Sequence, residues 1–283
     1  MPYVASGATV IIWSSSFPAV KYVLDYYSPG ALMLFRFLIA SALLMGYCVI
    51  KKVPPPHKKA LPLFIMSGFI GLFLYMWTFN TGADMVISGI SSFIISSAPV
   101  YTLILSVIFL KEKAGLMTWA GVIISFLGLA AISATEITDM QLNIGIWILL
   151  IAALTTSIYN IFQKMILRKY SVMQATAYPI AFGTLFMLIF LPEFLYEFPE
   201  APMRANVIVI YLAVFPAALA YFLWGYALAA VEKVIYVTSF LYLTPFLSSV
   251  LGFFWLGETM PALAILGGVV VVVGMVVTNF RRV

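Results

Sequence analysis

From Leu263 to Val277 the chain has no side chain that is charged or can hydrogen-bond. A run of this kind lacks the polar alternation of a barrel strand. It reads as a helix, either inside a core or across a membrane. Composition decides between the two. Of the 283 residues, 64% are apolar by the AVILMFWYC count and 9% are charged, with a mean hydropathy of +1.10. A soluble domain carries about 25% charged residues. This chain cannot coat a soluble core with polar surface, so most of its surface faces lipid. A lone globular enzyme, a nucleic-acid binder and a disordered tail are excluded as descriptions of the whole. The formal net charge of +5 marks a cytoplasmic side rather than a nucleic-acid partner.

Ten apolar segments can be marked, at about 3–23, 30–50, 61–80, 86–110, 116–134, 144–166, 172–191, 207–229, 235–256 and 262–280. The breaks are Ser28-Pro29-Gly30, the basic Lys51–Lys59 loop, Lys111–Gly115, Thr135–Asn143, Arg168–Ser171, the acidic Pro192–Asn206 loop, Glu232-Lys233 and Gly257–Pro261. The breaks are short, so consecutive helices are expected to run antiparallel. With the N terminus inside, the inner loops and terminus hold Lys51, Lys52, Lys58, Lys59, Lys111, Lys113, Lys164, Arg168, Lys169, Lys233, Arg281 and Arg282. The outer loops then hold only Arg204, with Lys21 and Arg36 inside helices near the outer face. This asymmetry predicts a multi-pass protein with both termini cytoplasmic. No cleavable signal peptide is expected, because Met1–Gly7 has no basic stretch and the first apolar run shows no A-x-A site.

The chain also repeats itself. Pro99, Glu112, Gly121 and Gly128 recur as Pro245, Glu258, Gly267 and Gly274, each 146 residues on. Trp77 and Trp224 pair at 147, while Lys21 with Lys164 and Ser28 with Ser171 pair at 143. Two halves follow, 1–135 and 143–283. Five helices per half is an odd number, so the second half is inverted in the membrane. Inverted repeats are a common plan for carriers, with the substrate near the midplane where the halves meet.

These residues resemble a family. Trp13-Ser14-Ser15-Ser16-Phe17, Arg36-Phe37, and the blocks Ala98-Pro99…Leu110-Lys111-Glu112…Gly121…Gly128 and Thr244-Pro245…Leu256-Gly257-Glu258…Gly267…Gly274 are similar to those of EamA-type drug/metabolite transporters. The resemblance covers the whole chain. It implies interleaved inverted repeats around a central cavity lined by segments 1, 3, 4, 6, 8 and 9, with 5 and 10 as peripheral supports. It also implies movement of small metabolites, often amino acids and frequently outward.

Polar positions inside the segments nominate the site. Thr156, Tyr159, Asn160 and Gln163 share one helix face, and such a face avoids lipid. Trp13, Phe17 and Lys21 share a face of segment one; Trp77, Asn80 and Asp84 mark segment three, and Tyr221 and Trp224 segment eight. The bland alternatives are packing between helices and, for tryptophans near segment ends such as Trp147 and Trp255, an interfacial belt. Pro99 and Pro245 each leave a helix carbonyl without its partner. Ser92 and Ser96 accompany the first, and Thr238 and Tyr242 the second, at the same 146 spacing.

Arg36 is an intramembrane charge and hence a functional candidate. Lys21 is assigned a structural role paired with Asp25 at i, i+4. Glu112 and Glu258 are read as helix-end residues that bond loop backbone. The substrate-binding set is therefore Trp13, Phe17, Arg36, Trp77, Asn80, Ser96, Pro99, Tyr159, Asn160, Gln163, Tyr221, Trp224, Tyr242 and Pro245.

No carboxylate lies in the middle third of any segment, which argues against an organic-cation efflux carrier and for a neutral or zwitterionic solute. One cysteine, Cys48, and one histidine, His57, give no zinc site, triad or disulfide. The absence of G-x-x-x-x-G-K-[ST] leaves no P-loop. No cofactor, metal or catalytic residue is expected. The chain is read as an all-α secondary carrier of the prokaryotic cytoplasmic (inner) membrane. Its partners are a small-molecule metabolite and membrane lipid, no nucleic acid is among them, and a monomer suffices. Rival readings are a multidrug efflux carrier, an intramembrane enzyme and a non-transporting scaffold.

Overall fold

The structure is a computed structural model that describes residues 1–86, 88–134, 144–256 and 262–279. Glu258, Glu136, Asp139, Arg281, Arg282 and the side chain of Trp255 lie outside that description. The described residues form helices and no strands. Seven helices are long and apolar enough to cross a membrane. They are α1 (Pro2–Val23), α2 (Pro29–Ile50), α3 (Lys58–Met85), α4 (Ser91–Leu110, with its first turn from Ser88), α6 (Ile144–Leu167), α7 (Val172–Glu197) and α8 (Met203–Ala229). The described residues also form shorter apolar helices: α5 (Leu116–Ala134), α9 (Ile235–Thr238, continuing through Thr244–Leu256) and α10 (Ala262–Asn279).

Local chemistry explains several boundaries. Ser28 caps α2, accepting from the Ala31 N–H at 3.3 Å, with Pro29 in the first turn. Ser171 caps α7 in a box with Gln174. The Ser28/Ser171 recurrence is thus a repeated helix start. One expected loop is largely helical. Within 192–206, the turns Leu191–Glu197 and Met203–Leu212 flank a short connection. Pro192 sits in the first turn of the former, where its missing N–H is harmless.

Four helices depart from α geometry near their middles. α3 has a π turn at Phe69–Leu74, and α8 has one at Ala213–Leu219 around Pro216. In α4 the helix is interrupted at Ser96-Ser97, just before Pro99. The hydroxyls there bond local carbonyls, Ser96 to Ser92 at 2.7 Å and Ser97 to Ile94 at 2.6 Å. In α9 a 3-10 stretch, Ser239–Leu243, precedes Pro245, and the Thr244 N–H takes the Leu241 carbonyl. Both prolines thus shift the backbone pattern one turn upstream, as a residue lacking an N–H must.

The packing is interleaved. α1 lies against α8 and α9, while α6 lies against α3 and α4. α5 and α10 cross antiparallel at glycines. A Cβ on Gly121 would lie 2.7 Å from the Gly274 carbonyl oxygen, and one on Gly128 would lie 2.7 Å from that of Gly267. Between those contacts the Ser125 hydroxyl approaches the Val271 carbonyl at 3.4 Å. Polarity is distributed inside-out. Ser6, Thr9, Ser14, Arg36, Asn160 and Gln163 are buried, whereas Ile50, Phe109, Leu127, Ile189 and Val269 are exposed. Hydrocarbon is the solvent that suits such a surface.

Candidate functional site: a buried aromatic cavity

The helix irregularities surround one cavity. It is lined by Trp13, Ser16 and Phe17 of α1, Arg36 of α2, Tyr75, Met76 and Phe79 of α3, and Ile95 of α4. Thr156, Tyr159 and Asn160 of α6, Tyr221 and Trp224 of α8, and Leu241 and Thr244 of α9 complete it. Ile95 and Leu241 stand four residues before Pro99 and Pro245. They are the residues whose carbonyls an α-helix would pair with those prolines. Water-sized molecules can centre in only about 40 Å³ of the space. That volume holds a few waters, so a larger solute enters only when the helices part.

The walls are aromatic and braced. Trp13 lies 5.0 Å from Trp224 and meets Tyr221 edge-on at 5.4 Å. Phe17 meets Phe79 edge-on at 5.6 Å, and Tyr159 meets Tyr221 at 5.6 Å. These separations fall in the favourable range for ring pairs. Gly71, in the π turn of α3, gives Tyr159 its room: a Cβ there would lie 2.4 Å from the ring. The Trp224 indole donates to Asn160 Oδ1 at 2.8 Å. Gln163 donates to the Tyr159 hydroxyl at 2.7 Å and to the Ala175 carbonyl at 2.6 Å.

The π turn of α8 supplies two anchors. Trp13 Nε1 donates to the Pro216 carbonyl at 3.0 Å, and Arg36 Nε donates to the Leu212 carbonyl at 3.1 Å. Leu212 is four residues before Pro216, so α-helical pairing of its carbonyl would need an N–H that proline lacks. Arg36 is 3% exposed, and its guanidinium sits 5.7 Å from the Phe37 ring centre.

Seven of the residues nominated from the sequence line this cavity: Trp13, Phe17, Arg36, Tyr159, Asn160, Tyr221 and Trp224. Gln163 stands behind Tyr159. Asn80 is buried and donates to the Pro29 carbonyl at 3.1 Å, tying α3 to the start of α2. Ser96 and Pro99 shape the break in α4, and Tyr242 belongs to the irregular stretch of α9 that Pro245 follows. Trp77 is on another face. It is 44% exposed and stacks on Phe73 and near Phe190.

The register explains Trp77. In the cavity α3 and α8 contribute Met76 with Tyr221 and Phe79 with Trp224, both pairs 145 apart rather than 147. Two residues turn a helix face by roughly 200°. Tyr75, Met76, Phe79, Ile95, Leu241 and Thr244 were not nominated. Tyr75 and Phe79 carried a signal in their i, i+4 spacing, and Ile95 and Leu241 in their distance from the prolines.

The ends of the cavity helices are tied by lysines. Lys21 donates to the Asp84 carbonyl at 2.9 Å and the Ala83 carbonyl at 3.4 Å, at the end of α3, rather than to Asp25. Lys164 makes the corresponding bonds at the end of α8, to the Leu228 carbonyl at 2.9 Å and to the Val231 carbonyl. Beside it the Glu112 carboxylate accepts from the Val234 N–H at 3.2 Å, as expected for a residue that bonds loop backbone. Burial pushes the Glu112 carboxyl up, opposed by that N–H, the Ser106 hydroxyl and Lys164.

The sequence pattern of the EamA-like transporter family matches this chain twice, over residues 3–134 and 143–280. The chain is 35% identical to "Uncharacterized transporter YdfC" of Bacillus subtilis, over 95% of this chain and 88% of that protein. It is 34% identical to a "Probable terminal-alkyne amino-acid exporter" of Streptantibioticus cattleyicolor, over 96% and 91%. A solved crystal structure superposes with a TM-score of 0.81 at 16% identity, covering 99% of this chain and 96% of the other, which shows a shared fold.

Proposed function

The chain belongs to the EamA-like transporter family, and from that premise we propose that it is a secondary carrier exporting amino acids or related neutral or zwitterionic solutes from a prokaryotic cell. In this reading ten helices cross the inner membrane with both termini cytoplasmic. Residues 1–135 and 143–283 are inverted repeats, and rocking of the halves alternates access to the cavity. Several observations support it. One family pattern matches both halves. The α5–α10 contacts Gly121–Gly274 and Gly128–Gly267 exchange under the 146 shift, and Ser125–Val271 maps onto itself. Lys21 and Lys164 make corresponding bonds in the two halves.

The single observation that carries the function is the cavity. Seven helices from both halves converge on a buried, ring-lined space with few polar groups, the usual form of a small-molecule site. No Asp or Glu lines it among the described residues. That favours a metabolite with its own carboxylate over a lipophilic drug cation, which would want a membrane carboxylate. The name of the Streptantibioticus relative points the same way. Purified protein in liposomes, loaded with pooled labelled amino acids, tests the proposal. Efflux should exceed that of empty liposomes and fall in Asn160→Ala and Trp224→Ala. Flux equal to the empty control would refute it.

A further inference from the structure

Among the described residues Arg36 is the one charged residue lining the cavity, and the packing around it leaves most of its hydrogen-bonding capacity unused. A guanidinium has five N–H donors. One, on Nε, goes to the Leu212 carbonyl at 3.1 Å. Another leans on the Met76 sulfur at 3.9 Å, which is a weak acceptor. Tyr75 and Tyr221 line the cavity with it, and among the described residues no carboxylate does. A buried charge is normally paired. Here the bond through Nε orients the fork, and its remaining donors have no anionic partner among the described residues. A second donor lines the same cavity from α9: the Thr244 hydroxyl is buried and unpartnered.

We infer that Arg36 anchors the substrate's carboxylate, and that an α-amino group is dispensable to recognition. The inference rests on the carrier reading above and names its substrate class. The ligand is an organic monocarboxylate with an aromatic or apolar body, with or without an amino group. The carboxylate takes the free edge of the guanidinium, a geometry suited to two parallel bonds. The body packs among Trp13, Phe17, Tyr221 and Trp224. The cavity offers an ammonium no matching charge, and Asn160 Oδ1 already accepts from Trp224. An amine without a carboxylate would therefore meet Arg36 as a like charge in a low-dielectric space, where repulsion is strong.

The test uses four ligands of one shape: 3-phenylpropanoate, 3-phenylpropanamide, phenylalanine and 2-phenylethylamine. Binding is read by tryptophan fluorescence on the full-length protein in detergent, since Trp13 and Trp224 are in the wall. The acid should bind about 100-fold tighter than the amide, the loss typical of a charge-assisted bond. Phenylalanine should fall within about tenfold of the acid, and the amine should not bind. In Arg36→Gln the acid should lose its advantage over the amide, while an unchanged helical circular-dichroism spectrum reports an intact fold.

Equal binding of acid and amide by the parent would overturn the inference, and that comparison needs no variant. So would a parent that binds the amine as well as the acid. The carrier reading fails separately. Carboxylate-selective binding without flux in liposomes would sink transport and leave the anion site standing. Amino-acid flux without acid-over-amide selectivity would do the reverse.

Discussion

The bond from Trp224 to Asn160 can be isolated by a double-mutant cycle. Trp224→Phe keeps a ring near Trp13, 5.0 Å away in the parent, and removes the indole N–H. Asn160 Oδ1, on a residue 1% exposed, then loses its donor at 2.8 Å. Leaving one buried polar partner unsatisfied costs about 1–3 kcal/mol. Asn160→Ala strands the indole N–H in the same way, at a similar cost. The double variant has neither group left to satisfy, so its loss should fall short of the sum by about 1–2 kcal/mol. Two readouts are needed: thermal denaturation of the purified protein in detergent, and flux per molecule in liposomes. Both single variants should transport less than the parent, and the coupling should appear in both readouts. Additivity within about 0.5 kcal/mol would mean that the indole and amide do not support each other and that the 2.8 Å contact carries little energy.

Three further outcomes follow from the geometry. Gly274→Ala places a Cβ 2.4 Å from the Ser125 amide nitrogen; overpacking of this kind costs about 1–3 kcal/mol, so the melting temperature should fall while ligand affinity holds, because α5 and α10 line no part of the cavity. Trp77→Ala should transport at the parent rate per molecule, since Trp77 faces outward, and a large loss of flux would put that face back in the site. The Glu112 carboxyl titrates above the ordinary carboxylate value because burial disfavours its charged form, so the stability it contributes is present at low pH and is lost as pH rises through the raised value. Melting temperature should therefore fall as pH rises through the window just above about 4.3, and Glu112→Gln should flatten that dependence.

The helices were legible because their signal is long and additive. Each apolar segment needs only length, and the Ser28 and Ser171 starts were visible as cap residues. The misread part, 192–206, is acidic and carries three prolines, features that usually mean loop, but Pro192 and Pro202 here stand at the starts of new helical turns. The cavity was readable where a polar side chain has no business facing lipid, as with Asn160, Tyr159 and Arg36. It was harder to read where apolar residues do the lining. Phe79, Met76 and Leu241 are chemically identical to residues that face hydrocarbon, so only their position separates the two roles. Trp77 shows the limit of counting along a chain: its 147 spacing to Trp224 sets it two residues, and so roughly 200° of helix face, off the 145 register that the cavity follows.

The cavity-lining residues of α1 and α6 have a consequence for how a molecule travels. Trp13 and Thr156, Ser16 and Tyr159, and Phe17 and Asn160 are each 143 apart, and all six line the cavity. The positions match while the chemistry does not: a ring stands against a hydroxyl, a hydroxyl against a phenol, and a ring against an amide. A symmetric room would let a passenger lie either way round. This one is keyed, with a single fit between head and tail. Under the alternating access proposed above, a passenger held this way shows a different end to each side of the membrane, head to one and tail to the other. The two doorways therefore judge different parts of the same molecule. A substitution near one doorway can alter which molecules are admitted there without altering which are released at the other.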